Sequence, residues 1–244
     1  MNQLAEFIDR YVSVWNEKDP DARRRSIATL WAPDGATCFS QLDARGYEAI
    51  EARVASANEK WVRNQSFVFR PRKSIAAHHN VVKLVWEMVP ASGGEVAATG
   101  LNVLILGPDG RIRADYQFSE PPAPASGERT AFVDRYVAFW NEPDANRRRQ
   151  QLAEIWAENA TFLSATSEQE GRAGIEAEAV KTYAACGAKG LVFGSTNAVE
   201  GHHDVVRMSW EMRPRAGGDV AAQGFALLVL DGEGRIRADY QFTP

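Results

Sequence analysis

The sequence predicts an α+β protein made of two tandem copies of one domain, each with about three helices followed by a mainly antiparallel sheet. Long segments recur in the same order at a nearly constant offset, and in each copy helix-type periodicity precedes strand-type alternation. The copies are predicted at residues 1–118 and 131–244, joined by a proline-rich linker at 119–130. Two homologous domains on one chain are expected to pair about a pseudo-two-fold axis, so we expect a monomer.

The repeated segments are too similar to have arisen by chance. The last of them, GRIRADYQF, occurs twice without a change. The matched segments are residues 7–17 and 132–142, residues 78–88 and 202–212, and residues 110–118 and 234–242. A repeat of this length is a whole domain rather than one turn of a solenoid.

The composition is that of a soluble globular protein, with 45% hydrophobic residues, 25% charged residues and a net charge of −4. The arginine runs at 23–25 and 147–149 stand beside acidic residues, which indicates a solvated helix face rather than a nucleic-acid surface. No apolar run approaches the ~20 residues of a membrane span, and the first residues lack a signal-peptide pattern. We therefore expect a cytoplasmic protein with neither a nucleic-acid nor a membrane partner.

The first two predicted helices follow from spacing and capping. Apolar residues at intervals of three and four place one face of a first helix inward. They are Leu4, Ile8, Tyr11 and Trp15. Asp19 before Pro20 is a typical N-cap and first-turn pair for a second helix, which carries Ile27, Leu30 and Trp31 inward. Asp144 is the corresponding cap in the second copy.

The rest of each copy is predicted as a short strand, a third helix and three longer strands. In the first copy the short strand is 36–40, and Gly46 opens the third helix. The three strands are 81–89, 96–106 and 111–118, and turn residues at 92–94 and 108–110 separate them. Glycine-rich turns of this kind join antiparallel neighbours.

In this order, and with related segments in the second copy, the motifs RYVSVWN, LWAPDGAT, HHNVVKLVWEM and DGRI resemble the SnoaL-like group of the NTF2-like superfamily. The resemblance implies a cystatin-like cone fold, in which a curved sheet wraps around a long helix and encloses a largely apolar pocket. Its members include ketosteroid isomerases, polyketide cyclases, limonene epoxide hydrolases, scytalone dehydratases and proteins with no known catalysis. Fold alone does not choose among these functions.

Isomerase chemistry would need a carboxylate base, a tyrosine and a protonated aspartic acid. Tyr11 and Tyr136 match the tyrosine of the family. The position of the base holds Ser40 in the first copy and Ser164 in the second, and the position of the acid holds Asn102 and Ala226. A serine with no adjacent base is a poor proton acceptor. The isomerase hypothesis therefore lacks two of its three groups.

The closing strand carries the main catalytic candidates. Side chains alternate along a strand, so Arg113, Asp115 and Gln117 share one face, opposite Tyr116 and Phe118. Similarity to the family places the first set in the pocket. Asp115 would then be an acid–base group and Arg113 would tune its charge. The alternative is an exposed, structural ion pair. The equivalent residues of the second copy are Arg237, Asp239 and Gln241.

Other candidates are aromatic or polar residues at pocket-lining positions. Trp86, Trp210 and Met88 are predicted to wall the pocket, although packing in the core explains the two tryptophans as well. For Trp31 and Trp156, packing in the core is the favoured explanation. His78 and His202 could line the pocket mouth as neutral acid–base groups or simply be polar strand residues. Adjacent histidines on a strand point to opposite faces, so no metal site is predicted.

The two pockets are expected to differ in polarity. The first copy has Cys38, Thr99 and Asn102 where the second has Phe162, Gln223 and Ala226, so one pocket could be purely structural. No phosphate-binding loop or nucleophile elbow is present, so no cofactor is expected. The predicted function is a pocket for a small hydrophobic, polyketide-like molecule. The protein would then be a cofactor-free acid–base enzyme that catalyses cyclisation, isomerisation, dehydration or hydrolysis. The alternative is a non-catalytic carrier or interaction module.

Overall fold

The computed structural model describes residues 2–122 and 127–243 and divides the chain after Pro121 into two compact units. The last strand of the first unit continues to Glu120, and the first helix of the second begins at Gly127. Regular structure therefore enters the predicted linker 119–130 from both ends. Its centre, residues 123–126, lies outside the described residues. The pairing of the two units about a pseudo-two-fold axis stays a prediction.

Both units have the same order of elements. The first consists of α1 (Asn2–Asn16), α2 (Pro20–Leu30), β1 (Trp31–Phe39), β2 (Leu42–Arg45), α3 (Gly46–Ala57), a π-helical turn (Asn58–Arg63), β3 (Phe67–His78), β4 (Val81–Pro90), β5 (Ala98–Leu106) and β6 (Ile112–Glu120). The second consists of α4 (Gly127–Asn141), α5 (Ala145–Ile155), β7 (Trp156–Ser164), β8 (Ser167–Glu170), α6 (Gly171–Ala185), a 3₁₀ turn (Gly187–Lys189), β9 (Leu191–His202), β10 (Val205–Pro214), β11 (Ala222–Leu230) and β12 (Ile236–Phe242).

Each unit contains a six-stranded sheet with the order β2-β1-β6-β5-β4-β3, repeated as β8-β7-β12-β11-β10-β9. All neighbours are antiparallel except β1 with β6 and β7 with β12, which are parallel. The closing strand is therefore near the centre of its sheet. This register sets Asp115 beside Thr37 on one side and Leu104 on the other.

The N-terminal helices form as their sequences predict. Ile8, Tyr11 and Trp15 of α1 are buried. Asp19 caps α2 by accepting hydrogen bonds from the backbone N–H groups of Asp21 and Ala22 at 2.8 and 2.9 Å. No helix in the described parts of the chain has both the length and the apolar character that crossing a bilayer requires.

Two predictions of local structure are wrong. Trp31 does not end α2 but begins β1, and it is fully buried there. The strand β3 was not predicted, because Arg70, Pro71 and Arg72 interrupt its alternation. Pro71 is accommodated because β3 is an edge strand with an irregular register between Pro71 and Ile75. Both arginines pair with Glu87 on β4, at 2.9 and 3.1 Å.

The arginine runs are not entirely solvated. Arg23 is 5% exposed and forms an ion pair with Glu51 of α3 at 2.8 Å, so it links the two helices. Arg148 of the second unit is 6% exposed and donates to the backbone oxygen of Glu142 at 2.9 Å. The prediction of a solvated face holds for the exposed Arg24 and is wrong for the buried Arg23 and Arg148.

A glycine on β5 sets the position of a large side chain on β4. A methyl group added at Gly100 would lie 2.3 Å from the Trp86 ring, which is closer than non-bonded atoms approach. We therefore expect Gly100→Ala to lower the free energy of unfolding by about 1–3 kcal/mol, since overpacking displaces the ring. Urea denaturation followed by fluorescence would measure this. The control is Gly194→Ala on β9, where nothing lies within 4 Å. An unchanged Gly100→Ala variant would contradict the prediction.

Candidate functional site

The first unit contains a cavity of about 450 Å³ between its helices and the concave face of its sheet. That volume is in the range of small-molecule sites, about 300–1,000 Å³. The walls are mainly apolar and aromatic and come from α1, α3, the π-helical turn and five strands. They include Trp15, Trp61, Phe67, Phe69, Trp86 and Phe118. Met88 also lines the cavity.

One end of the cavity is polar, because Tyr11, Asn102 and Gln117 meet there around a buried carboxylate. Asp115 is 0% exposed and lies behind these three residues. Its carboxylate accepts hydrogen bonds from the Tyr11 hydroxyl at 2.7 Å and from the Asn102 and Gln117 amides at 2.9 Å each. The hydroxyl of Thr37 is 3.4 Å away. A ligand in the cavity would contact Tyr11, Asn102 and Gln117, and these residues would separate it from the Asp115 carboxylate.

Burial raises the pKa of Asp115 to about 6, because the ionised form loses its hydration in the core. Hydrogen bonds from Tyr11, Gln117 and Asn102, and the positive charge of Arg53, lower the pKa and oppose this rise. Burial also raises the pKa of Tyr11 well above its usual value, and the neighbouring carboxylate adds to the rise. At neutral pH the pair is therefore a neutral phenol that donates to a carboxylate.

Asn102 connects the polar end to the aromatic wall. Its side-chain oxygen accepts from the Trp86 indole at 2.8 Å, and its amide donates to the Tyr11 oxygen at 2.5 Å as well as to Asp115. Asn102 is 1% exposed. One residue thus orients both the hydroxyl and the ring that a ligand would meet.

The second unit repeats the carboxylate but not all of its donors. Asp239 is 0% exposed and accepts from the Tyr136 hydroxyl at 2.6 Å and from the Gln241 amide at 2.5 Å. Ala226 replaces the asparagine, so the Trp210 indole donates to Gln241 instead, at 2.9 Å. Burial raises the pKa of Asp239 to about 7. The higher value follows from the missing amide and the missing nearby arginine.

Larger side chains fill more of the interior of the second unit. Phe162, in the position of Cys38, is 7% exposed, and its ring centre lies 5.3 Å from that of Trp140. Phe139 replaces Val14 and packs against Trp140 at 5.3 Å. The two units therefore differ in polarity and in packing, as the sequence predicts.

Comparison with solved structures finds neighbours that each match about half of this chain. A SnoaL-like family protein from Agrobacterium tumefaciens, provisionally assigned as an isomerase, is 29% identical over 49% of this chain and 99% of its own, with a TM-score of 0.46. A SnoaL-like protein of unknown function from Burkholderia thailandensis is 18% identical over 47% and 92%, with a TM-score of 0.36. No family model and no curated protein matches the chain.

The order of helices, the strand order of each sheet and the cavity over its concave face decide the fold. Each half has the NTF2-like cone fold. The polar cluster around Asp115 belongs to the N-terminal NTF2-like domain, and that around Asp239 belongs to the C-terminal one.

Strand parity correctly places Asp115 and Gln117 inside the N-terminal NTF2-like domain, but the predicted role of Arg113 is wrong. Its side chain is 40% exposed and pairs with Asp34 at 2.5 Å and Asp109 at 3.5 Å. It lies at the start of the strand, beyond the cavity. Phe118, predicted on the opposite face, also lines the cavity.

The same correction applies to Arg237 of the C-terminal NTF2-like domain. Its side chain is 52% exposed and pairs with Asp204 at 3.3 Å. Neither arginine therefore tunes the buried carboxylate of its domain.

Two other pairs of candidates lie away from the cavity. Ser40 is exposed in the turn after β1, and Ser164 is half-buried at the end of β7. His78 ends β3, at the opposite end of that strand from the cavity-lining Phe67 and Phe69. The isomerase-type base position therefore holds no group that faces the cavity.

The expectation that adjacent histidines diverge is also wrong. His79 and His203 are turn residues with φ of 48° and 50°, which redirects their side chains. The Nδ1 atoms of His78 and His79 lie 3.1 Å apart, and those of His202 and His203 lie 3.0 Å apart. His202 is 4% exposed.

Arg53 of α3 is a cavity residue that the sequence prediction missed. Ile50 and Val54 mark the inward face of that helix, and Arg53 is three residues from Ile50 on the same side. The sequence does contain a signal for this residue, namely an arginine on the apolar face of a predicted helix. At the equivalent position after the helix-opening glycine, α6 has Glu178.

If the Asn102 amide helps to hold Asp115 ionised, Asn102→Ala should raise the pKa of Asp115 from about 6 toward the value of about 7 for Asp239. The reciprocal variant, Ala226→Asn, should lower the pKa of Asp239. Titration of the side-chain carboxyl carbons by NMR measures both. Unchanged pKa values in both variants would show that the amide does not cause the difference.

Proposed function

We propose that the N-terminal NTF2-like domain binds a small hydrophobic compound in its cavity and moves a proton to or from it through Tyr11. The observation that carries this proposal is the junction of an aromatic cavity with a hydroxyl that is hydrogen-bonded to a buried carboxylate. Apolar walls with a few converging polar groups are typical of small-molecule sites. A titratable group with a raised pKa beside such a cavity favours acid–base chemistry.

Tyr11 is the group that would contact the substrate, and Asp115 would act through it. When a substrate C–H proton passes to the Tyr11 oxygen, the hydroxyl proton moves to Asp115, 2.7 Å away, and the C–H electron pair stays on carbon. The reverse transfer delivers a proton to the substrate. Asn102 donates to the Tyr11 oxygen at 2.5 Å and would stabilise negative charge on it during the transfer.

Such a relay serves cyclisation, isomerisation, dehydration or hydrolysis, since each needs a proton moved at a carbon or oxygen atom. The alternative is a non-catalytic carrier. Two observations favour the carrier. Asp115 does not line the cavity, so it cannot contact a ligand directly, and the Tyr11 oxygen already accepts a hydrogen bond from Asn102. For the C-terminal domain, the aromatic packing around Phe162 favours a structural role.

Filling the cavity should abolish ligand binding. Ala98 lines it at the start of β5, so Ala98→Phe should weaken the binding of a neutral bicyclic ketone, 2-tetralone, by at least about tenfold, because the ring occupies ligand space. Quenching of tryptophan fluorescence measures the affinity. The control is Ala222→Phe, the equivalent change in the C-terminal domain. Equal binding by the wild type and both variants would place the ligand elsewhere.

Proton transfer can be tested without the natural substrate. The domain should accelerate exchange of the acidic C–H protons of bound 2-tetralone for deuterium in D₂O, followed by NMR. Tyr11→Phe and Asp115→Asn should reduce the acceleration about 10²- to 10⁴-fold, the usual contribution of a positioned acid–base group. The exchange rate should rise with pH through about 6 and then level, because only the ionised Asp115 can take up the proton.

Tyr136→Phe and Asp239→Asn, the same changes in the C-terminal domain, should leave the exchange unchanged. If 2-tetralone binds but its exchange is no faster than in buffer, the carrier alternative holds. If the C-terminal variants lose exchange instead, the site has been assigned to the wrong domain.

A further inference from the structure

Arg53 brings a positive charge to the wall of an otherwise uncharged cavity. It is the only charged residue among the described residues that line the cavity. Its guanidinium lies 5.2 Å from the ring centre of Trp15, a cation–π distance that fixes the side chain over the cavity. One nitrogen, Nη2, reaches the Gln117 side-chain oxygen, but only at 3.5 Å.

None of the ion pairs within residues 2–122 and 127–243 includes Arg53, and its electrostatic interaction with Asp115 acts over a longer distance than an ion pair. Its Nε is buried and has no hydrogen-bond partner in the same part of the chain. Burial lowers the pKa of Arg53, although an arginine side chain stays protonated in proteins. Burying a hydrogen-bond donor of a charged group lowers the stability of the fold unless an acceptor binds it.

Within the described residues, other arginines of the same domain form close ion pairs with acidic residues, which Arg53 does not. Arg23, also against α3, pairs with Glu51 at 2.8 Å, and the exposed Arg113 pairs with Asp34. Asp115 does not take this role for Arg53, because its oxygens are occupied by the donors from Tyr11, Asn102 and Gln117. A ligand in the cavity would therefore meet a guanidinium whose charge is not compensated by an ion pair in the described residues.

We infer that the ligand of the N-terminal cavity carries a carboxylate, that Arg53 binds this carboxylate, and that an aromatic or alicyclic body fills the space between the tryptophan and phenylalanine rings. This inference rests on the proposed function of the same cavity. A planar guanidinium suits a carboxylate, with which it forms paired hydrogen bonds. One cation matches a singly charged group better than a phosphate dianion.

The position of Gln117 adds a constraint on the ligand. Its side-chain oxygen lies 3.5 Å from Arg53, and its nitrogen lies 3.5 Å from the Tyr11 oxygen. The carboxylate site and the proton-transfer site are thus separated by a single amide group. The reacting atom of the substrate is therefore within a few bonds of its carboxylate.

The C-terminal domain has the opposite charge at this position. The Glu178 carboxylate accepts from Ser167 at 2.9 Å and from Lys181 at 3.3 Å. A carboxylate ligand would therefore find a paired acid there in place of an arginine. Selectivity for an anion is consequently a property of the N-terminal domain alone.

The test compares two probes with the same ring system, 2-naphthoate and the neutral 2-naphthamide, titrated by calorimetry into the full chain at pH 8. The wild type should bind 2-naphthoate about tenfold more tightly. Arg53→Met should remove that preference and weaken 2-naphthoate binding by roughly ten- to a hundredfold, leaving 2-naphthamide within about threefold, since a hydrogen bond to a charged group is lost.

Two variants serve as controls and one guards against misfolding. Arg113→Gln removes the same charge outside the cavity, and Glu178→Gln removes the acid of the C-terminal domain, so both should keep the preference for 2-naphthoate. Arg53→Lys keeps the charge and should retain part of the preference, even if Arg53→Met proves unstable by circular dichroism.

The outcomes separate the inference from the proposed function. If the wild type binds both probes equally, or Arg53→Met and Arg53→Lys both leave the preference intact, the carboxylate inference is overturned and the cavity proposal stands. If the wild type binds neither probe and 2-tetralone also fails to bind, both proposals are overturned.

Discussion

A carboxylate buried at the centre of each sheet constrains the rest of its domain. Desolvating Asp115 raises the pKa of the group to about 6, so hydrogen-bond donors must surround it. One donor, Tyr11, comes from α1, and two come from β5 and β6, so the hydrogen bonds tie the long helix to the sheet. The cavity lies where this helix and the sheet diverge. The group that ties the helix to the sheet is therefore also the group for which we propose a part in proton transfer.

The two domains share this arrangement only in part. The Tyr136–Asp239 pair shows that the helix-to-sheet contact persists in the C-terminal domain. Around it, Ala226 stands at the position of Asn102, and Phe162 stands at the position of Cys38 and packs against Trp140. The carboxylate contact is thus common to both domains, whereas the polar lining with Asn102 is found in the N-terminal domain.

Much of this could be predicted from the sequence, because periodicity and the internal repeat report which side chains face the core. Strand alternation correctly buried Asp115, but it could not show that Arg113, on the same face, lies past the end of the cavity. The positive φ of His79 and the irregular register at Pro71 broke patterns that assume regular strands. Arg53 was missed because a charged residue on a helix is ordinarily solvated, and only tertiary packing reveals that this one is not.

The edge strands of the two sheets differ in a way that bears on self-association. An exposed edge can recruit a strand from another molecule unless charge, proline or an irregularity blocks it. Both edge strands have a break in register at this place, but in β3 Pro71 lacks an N–H group and is flanked by two arginines. The aligned stretch of β9 reads Gly194, Ser195 and Thr196. Taken by itself, the outer edge of the C-terminal sheet is therefore the one more open to intermolecular strand pairing, and charges placed there would be the natural means of keeping concentrated solutions free of aggregates.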